Sequence, residues 1–285
     1  MLEKSALYVV ATPIGNLSDI SLRALEILAK VDAVAAEHIQ NSGRLLAAHA
    51  ITARLISLHQ HNETAVAGKI LTLLDSGKSI ALITDAGTPG ISDPGAILVR
   101  CVRERGYPVV PVPGANAAIC ALSAAGIMNP HFLFYGFLPA KTGLRKRELA
   151  ALQTQPCTLI FYEAPHRILE CVTDMIDIFG TQREMTIARE LTKLFETIHS
   201  GTLEEMLAWL QADANQQRGE FVLLLSGAEI PDKSGISDQA RHALGCLLAE
   251  LPLKQAVKLA AEITGENKNS LYQLALDLKA AGDSG

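Results

Sequence analysis

The chain has 285 residues, 49% of them apolar and 19% charged, enough to bury a sizeable core and to build more than one domain. Its apolar runs are too short to span a bilayer, and Met1 to Tyr8 has no basic start ahead of an apolar stretch, so neither a membrane partner nor a secretory leader is expected. The net charge of −5 excludes nucleic-acid binding through bulk charge and leaves that role to a local basic patch.

Strand-like and helical stretches alternate from the start. LYVVA (7–11) precedes a helix over 20–31, AVAAE (33–37) a helix from about Gly43, and RLISL (54–58) a helix over 63–77. SIALIT (79–84) leads to a helix over 95–106, and PVVPV (108–112) to one over 116–126. This spacing predicts a mostly parallel sheet covered on both faces, an N-terminal α/β domain over 1–126. HFLFYGFL, TLIFYEA, EMTIARE and GEFVLLLSG then read as strands with fewer helices between them, a second α/β domain over 127–231. IPDKSGISD (230–238) has the composition of a linker. Three helical segments over 236–285, with Gly265 and Gly282 at helix ends, form a helix-turn-helix-like module. Its basic residues are balanced by acids, so this tail is a weak nucleic-acid signal.

Three strands of the first domain end in unusual loops: TPIGNL after the first, DAGTPGISDPG after the fourth, PVPGANAA after the fifth. In a right-handed doubly wound sheet all three open on the edge where ligands bind. One such loop is an ordinary turn as often as not; three on one edge point to a cleft. The common phosphate cradles are absent. GKS at 77–79 lacks the earlier glycine of a P-loop, and no G-x-G-x-x-G opens a helix after the first strand. The loops carry no Lys or Arg, which favours a neutral or zwitterionic, nucleoside-like ligand.

Two further features are ambiguous from the residues alone. KTGLRKRE, with Lys141, Arg145, Lys146 and Arg147, is either a phosphate grip or a solvated helix start. Arg189-Glu190 is either part of the cleft or a buried ion pair. HQHNE (59–63) lacks convincing third and fourth ligands, so no metal is expected; Asn62 could equally cap the following helix. His131, His199 and His242 read as structural. The five cysteines, odd in number and widely spaced, read as reduced, mostly buried thiols of a cytoplasmic protein.

TPIGNL, AE, HNE, DAGTPGISDPG, PVPG, GFLPAK, FYEAPHR, ARELTK and GEFVLLL, in that order, resemble the tetrapyrrole-methylase superfamily. More closely, they resemble its small-subunit rRNA methyltransferase I family, along essentially the whole chain. The resemblance implies two α/β domains of the class III methyltransferase type plus the helical module. It implies S-adenosylmethionine as methyl donor, 2′-O-methylation of a cytidine ribose in the decoding region of 16S rRNA, the small ribosomal subunit as partner, and a homodimer. Carried over residue by residue, it places Pro13, Gly15, Asp85, Gly87, Thr88, Asn116, Ala117, Tyr162, Leu191 and Gly201 at the donor. It places His61, Asn62 and Glu63 at the substrate; Lys141, Arg145, Arg147, Arg167, Arg189 and Lys193 join them as candidates for RNA by their charge, and Glu37, with His38 beside it, is the candidate at the reacting hydroxyl.

The sequence departs from the family at AEHIQ, where the branch usually carries A-E-D-T-R. Glu37 remains, but His38, Ile39 and Gln40 remove a carboxylate, a hydroxyl and a fixed positive charge that Gln cannot replace. Either His38 serves as a base near neutral pH, or the chain binds donor and methylates slowly, as a ribosome-associated protein with reduced activity. A tetrapyrrole C-methylase is the other reading; its polyanionic substrate would also require basic residues.

Overall fold

The computed structural model describes residues 3–228 and 236–282. The linker predicted over 230–238 lies mostly outside them, as does Lys233. The chain divides into two compact units, Met1–Ala228 and Glu229–Gly285.

The first unit holds two five-stranded sheets. Strands β1 (Leu7–Val10), β2 (Ala33–Ala36), β3 (Leu55–Ser57), β4 (Ile80–Ile83) and β5 (Val109–Val112) form the first, all parallel, in the order β3-β2-β4-β1-β5. The central AVAA and IALI runs are buried on every residue. That is why they read as unbroken apolar runs and not as alternation. Helices α1 (Leu22–Leu28) and α2 (Ile39–Ala48) cover one face, and α3 (Glu63–Asp75) and α4 (Ala96–Glu104) the other. Helix α5 (Ala117–Ala124) leaves β5 and packs instead on the second sheet, through Ala118 and Ala121.

The second sheet contains β6 (Phe132–Phe137), β7 (Thr158–Glu163), β8 (Glu184–Arg189), β9 (Thr197–Thr202) and β10 (Phe221–Leu225). Its order is β6-β7-β10-β8-β9; only β6–β7 is parallel, and β10, the last strand made, lies in the centre. Helices α6 (Thr142–Ala151), α7 (Ile168–Phe179) and α8 (Leu203–Ala212) bury its outer face around Phe161, Met175 and Leu223. Thr202 starts α8 with a reciprocal capping box to Glu205. The inner face, with Ile160, Ala188, Val222 and Leu224, turns toward α5 and Ile14.

In the second unit α9 (Asp238–Glu250), α10 (Leu253–Thr264) and α11 (Lys268–Gly282) pack around Leu244, Val257, Ala260 and Leu271. Gly265 ends α10 in the left-handed conformation expected of it. The cysteines are all free, but only Cys171 is buried and Cys246 is exposed, so the expectation of mostly buried thiols is too strong. Among the described residues no helix is long and apolar enough to cross a membrane.

Candidate functional site

The three loops are hydrogen-bonded into one rim. Thr12 N–H donates to Gly87 O at 2.8 Å, and Gly87 N–H returns a bond to Thr12 O at 3.0 Å. The Thr12 hydroxyl donates to Thr84 O at 3.0 Å, and the Thr88 hydroxyl reaches Ala115 O at 3.1 Å. Gly87 makes this closure with φ +82°, a conformation a side chain would strain. Asn116 caps α5 by accepting from Ile119 N–H at 3.2 Å.

The far end of the loop after β4 is fixed by Glu63. Its buried carboxylate accepts from Gly95 N–H at 3.0 Å and Leu98 N–H at 2.9 Å, satisfying the start of α4 from another helix. Glu63 is thereby withdrawn from any contact with RNA, which corrects its expected role. Asn62 accepts from His59 N–H and donates to Ser57 O, so it holds the turn after β3 and does not cap α3 with its side chain. His61 is exposed beside Gln60.

Between this rim and the inner face of the second sheet lies a cleft of about 390 Å³. Gly87, Thr88, Asn116, Ala117, Tyr162 and Leu191 all line it, six of the ten residues expected at the donor. Tyr162 stands on the sheet wall between Phe134 and Phe137, its hydroxyl accepting from Ala118 N–H at 3.2 Å. Pro13 and Asp85 line an adjoining depression instead. Gly15 lies against the loop after β8: a Cβ there would stand 2.5 Å from Lys193 Cγ and 2.9 Å from Leu191 O. Gly201 pairs with Met185 on the edge strand and packs against Glu205 and Met206, so it is not in the cleft.

Glu37 and His38 do not line the cleft either; they border a neighbouring hollow with Ser57 and His59. Asp85 links them to the rim. His38 Nδ1 lies 2.8 Å from Asp85 Oδ2, Asn41 donates to the same oxygen at 2.6 Å, and Glu37 accepts from Asp85 N–H. Among the described residues, Glu37, His38 and Asp85 are the one trio of His, Cys, Asp or Glu with side-chain ligand atoms mutually within 4.8 Å. His38 is 64% exposed and its near nitrogen faces Asp85.

Sequence reasoning missed Asp93. It lines the cleft two residues after Ile91. Burial first, then the charge of Glu37 and that of Asp85, push its carboxyl up to about 6, against an opposing hydrogen bond from Thr84. Burial also raises Tyr162; the Ala118 amide opposes that shift and the Asp93 charge adds to it.

The basic candidates divide. Arg145 is fully buried, its Nε 2.6 Å from Asp174 Oδ2, with further bonds to Ala140 O and the Thr142 hydroxyl. It holds α6 to α7 and is unavailable to RNA, which corrects the expectation. Arg147 is 73% exposed, and Lys141 stands exposed at the start of α6. Arg167 pairs with buried Glu163 at 2.5 Å. Arg189 pairs not with Glu190 but with the backbone oxygens of Asn215, Arg218 and Phe195. Lys193 takes Glu190 and Glu220, each at 2.8 Å. His199 stacks on Trp209, as a structural residue would.

Residues 6–207 match the family model of tetrapyrrole (corrin/porphyrin) methylases, and residues 234–279 that of the RsmI C-terminal helix-turn-helix domain. The chain is 54% identical to a ribosomal RNA small subunit methyltransferase I of Pseudomonas aeruginosa, over 95% of this chain and 96% of that protein. It is 50% identical to one of Escherichia coli O157:H7, over 95% and 94%. Among solved structures, it resembles the cobalamin biosynthetic enzyme cobalt precorrin-4 methyltransferase, with TM-score 0.60 and 18% identity, over 78% of this chain and 95% of that one. It also resembles uroporphyrin-III C-methyltransferase from Thermus thermophilus in complex with S-adenosyl homocysteine, with TM-score 0.57 and 16% identity, over 78% and 97%.

Proposed function

The chain belongs to the tetrapyrrole methylase family, in its ribosomal RNA small subunit methyltransferase I branch, and from that premise we propose that it methylates small-subunit rRNA with S-adenosylmethionine. The finer reading is 2′-O-methylation of a cytidine ribose in the decoding region of 16S rRNA. The observation that carries it is the cleft itself, a rim of three fused loops facing an aromatic sheet wall.

The lining fits this donor chemically. Ile14, Ile91, Leu191 and Val222 supply apolar surface; Thr88, Asn116 and Tyr162 supply polar groups; among the described residues no Lys or Arg lines the cleft, while Asp93 does. That set suits a cationic sulfonium nucleoside and repels a polyphosphate. It equally gives a polyanionic tetrapyrrole no counter-charge. Gly87 keeps the rim backbone bare at the cleft mouth.

When bound, the donor supplies an electrophilic methyl group whose leaving sulfur departs neutral. The protein must align the reactants, exclude water and accept the hydroxyl proton. Alignment alone contributes roughly 7–11 kcal/mol to such reactions. Glu37 and His38, held at the rim through Asp85, border the hollow that would receive the ribose; exposed Lys141 and Arg147 would contact phosphates. The homodimer implied by the resemblance is the proposed assembly, and sedimentation of the purified chain tests it.

The deciding experiment compares ribose methylation of small-subunit rRNA from a deletion strain with that from the complemented strain. A missing 2′-O-methyl cytidine restored by the gene is the expected result. Calorimetry with S-adenosylmethionine separates a chain that fails to bind donor. Glu37→Ala should cut turnover while leaving donor affinity near wild type; unchanged turnover would remove Glu37 from the reaction.

A further inference from the structure

We propose that Asp93 is the group that takes the proton from the ribose hydroxyl. This rests on the methyltransferase reading above and deepens it.

Among the described residues, four with titratable side chains line the cleft: Asp93, Tyr162, Glu163 and Glu220. Glu163 is fully buried on the opposite side of β7 from Tyr162 and is neutralised by Arg167. Glu220 is 74% exposed and is held by Lys193. The Tyr162 phenol is held above its ordinary value. Of the three carboxylates, Asp93 alone has no ion-pair partner among the described residues.

Its surroundings set its basicity. Glu37 from the end of β2 and Asp85 from the end of β4 both disfavour its charge, Tyr162 faces it from β7, and the Thr84 hydroxyl supports its ionised form. The two carboxylates that act on Asp93 border the hollows outside the cleft. Asp93 thus marks where the donor cleft meets the substrate edge. A carboxylate that titrates near 6 is ionised at neutral pH and is a stronger base than an ordinary Asp.

The backbone aims it. Ser92, immediately before it, has φ +62°, and its hydroxyl oxygen lies 2.8 Å from where a Cβ on Gly136 would stand. Gly136 is itself at a bulge in β6 with φ +84°. A strained residue seated on a bulge of the other sheet positions the following side chain over the cleft.

In the step, the ribose oxygen bonds to the methyl carbon while its O–H proton passes to a carboxylate oxygen of Asp93. The carbon–sulfur electron pair leaves with sulfur as a neutral thioether. The Asp93 carboxyl then returns the proton to solvent.

The test is Asp93→Asn with S-adenosylmethionine and small-subunit particles lacking the modification. The expected loss in kcat is roughly 10²–10⁴-fold, with S-adenosyl homocysteine affinity within about two-fold of wild type. Wild-type kcat/KM should rise tenfold per pH unit to a plateau above about pH 6. The Asn variant should be flat over the same range, and His38→Gln should keep the wild-type shape. Independently of turnover, the ¹³C carboxyl resonance of Asp93 in the ligand-free protein should titrate near 6. A near-normal rate in Asp93→Asn, a pH profile lost in His38→Gln instead, or an ordinary carboxylate titration below pH 5 overturns the assignment. The titration decides the matter should Asp93→Asn not fold. Wild-type protein that transfers no methyl group to the particles sinks the parent reading together with this one.

Discussion

The Arg145 guanidinium and the Asp174 carboxylate meet at 2.6 Å with both side chains buried, joining α6 to α7 beneath an otherwise basic, solvent-facing helix. Removing one partner strands the other charge, which costs about 3–5 kcal/mol in comparable sites. Arg145→Met should therefore show that loss in urea unfolding. Arg147→Ala should stay within about 0.5 kcal/mol of wild type. On RNA the order reverses: Arg147→Ala should lower the salt dependence of binding by roughly one counterion. Folded Arg145→Met should leave that slope unchanged.

Glu63 is a cap supplied from outside the helix it caps. Glu63→Ala leaves Gly95 N–H and Leu98 N–H without acceptors at the start of α4, a loss of about 1–3 kcal/mol. Glu63→Gln keeps an acceptor and loses only the charge, about 0.3–1 kcal/mol. Thermal unfolding should rank wild type above Gln above Ala. Donor affinity by calorimetry should follow the same order, since this cap anchors the end of the loop that forms the cleft rim.

Of the three glycines expected at the donor, Gly15 and Gly201 separate cleanly. Gly15→Ala would place a Cβ 2.5 Å from Lys193 Cγ and 2.9 Å from Leu191 O. It should displace the cleft-lining Leu191 and weaken S-adenosyl homocysteine binding by tenfold or more, on the order of 1.4 kcal/mol. Gly201→Ala would meet Glu205 Oε2 at 2.7 Å and disturb the α8 cap. It should lower the melting temperature with donor affinity intact.

Asp93 also makes a prediction about stability. Its folded-state value lies above its ordinary one, so folding favours the protonated form. That contribution is fully present below about pH 4 and is lost as pH rises through about 6. Asp93→Asn, which carries no charge, should match wild type near pH 4 and exceed it at pH 8, by on the order of 1 kcal/mol once partial solvent screening is allowed for. Denaturant titrations at the two pH values check it.

Much of this was readable from local chemistry. The parallel strands announced themselves because burial on both faces leaves no alternation, and the three rim loops because their Gly and Pro content has few other uses. Strand β9 was missed: TIHSGT alternates half-exposed residues on an edge, and its identity comes from pairing with β8. Arg145 looked like part of a phosphate grip, although its spacing of four from buried Leu149 put it on the inward face of α6. Glu63 could not be assigned because its partners lie 32 and 35 residues away. Asp93 sat in an S-D-P-G run that reads as turn chemistry, and its neighbours Glu37 and Asp85 arrive from other strand ends. Pairings across long stretches of chain are set by tertiary packing, which local pattern does not encode.

The position of β10 fixes when this molecule becomes competent. Phe221 and Val222 form part of the cavity wall and slot between two strands synthesised well before them. A nascent chain still awaiting those residues has a gap where a central ladder belongs, and no complete pocket. The enzyme is thus silent through most of its own translation, and a fragment ending before that insertion should be both inactive and prone to pair its open edges with other chains.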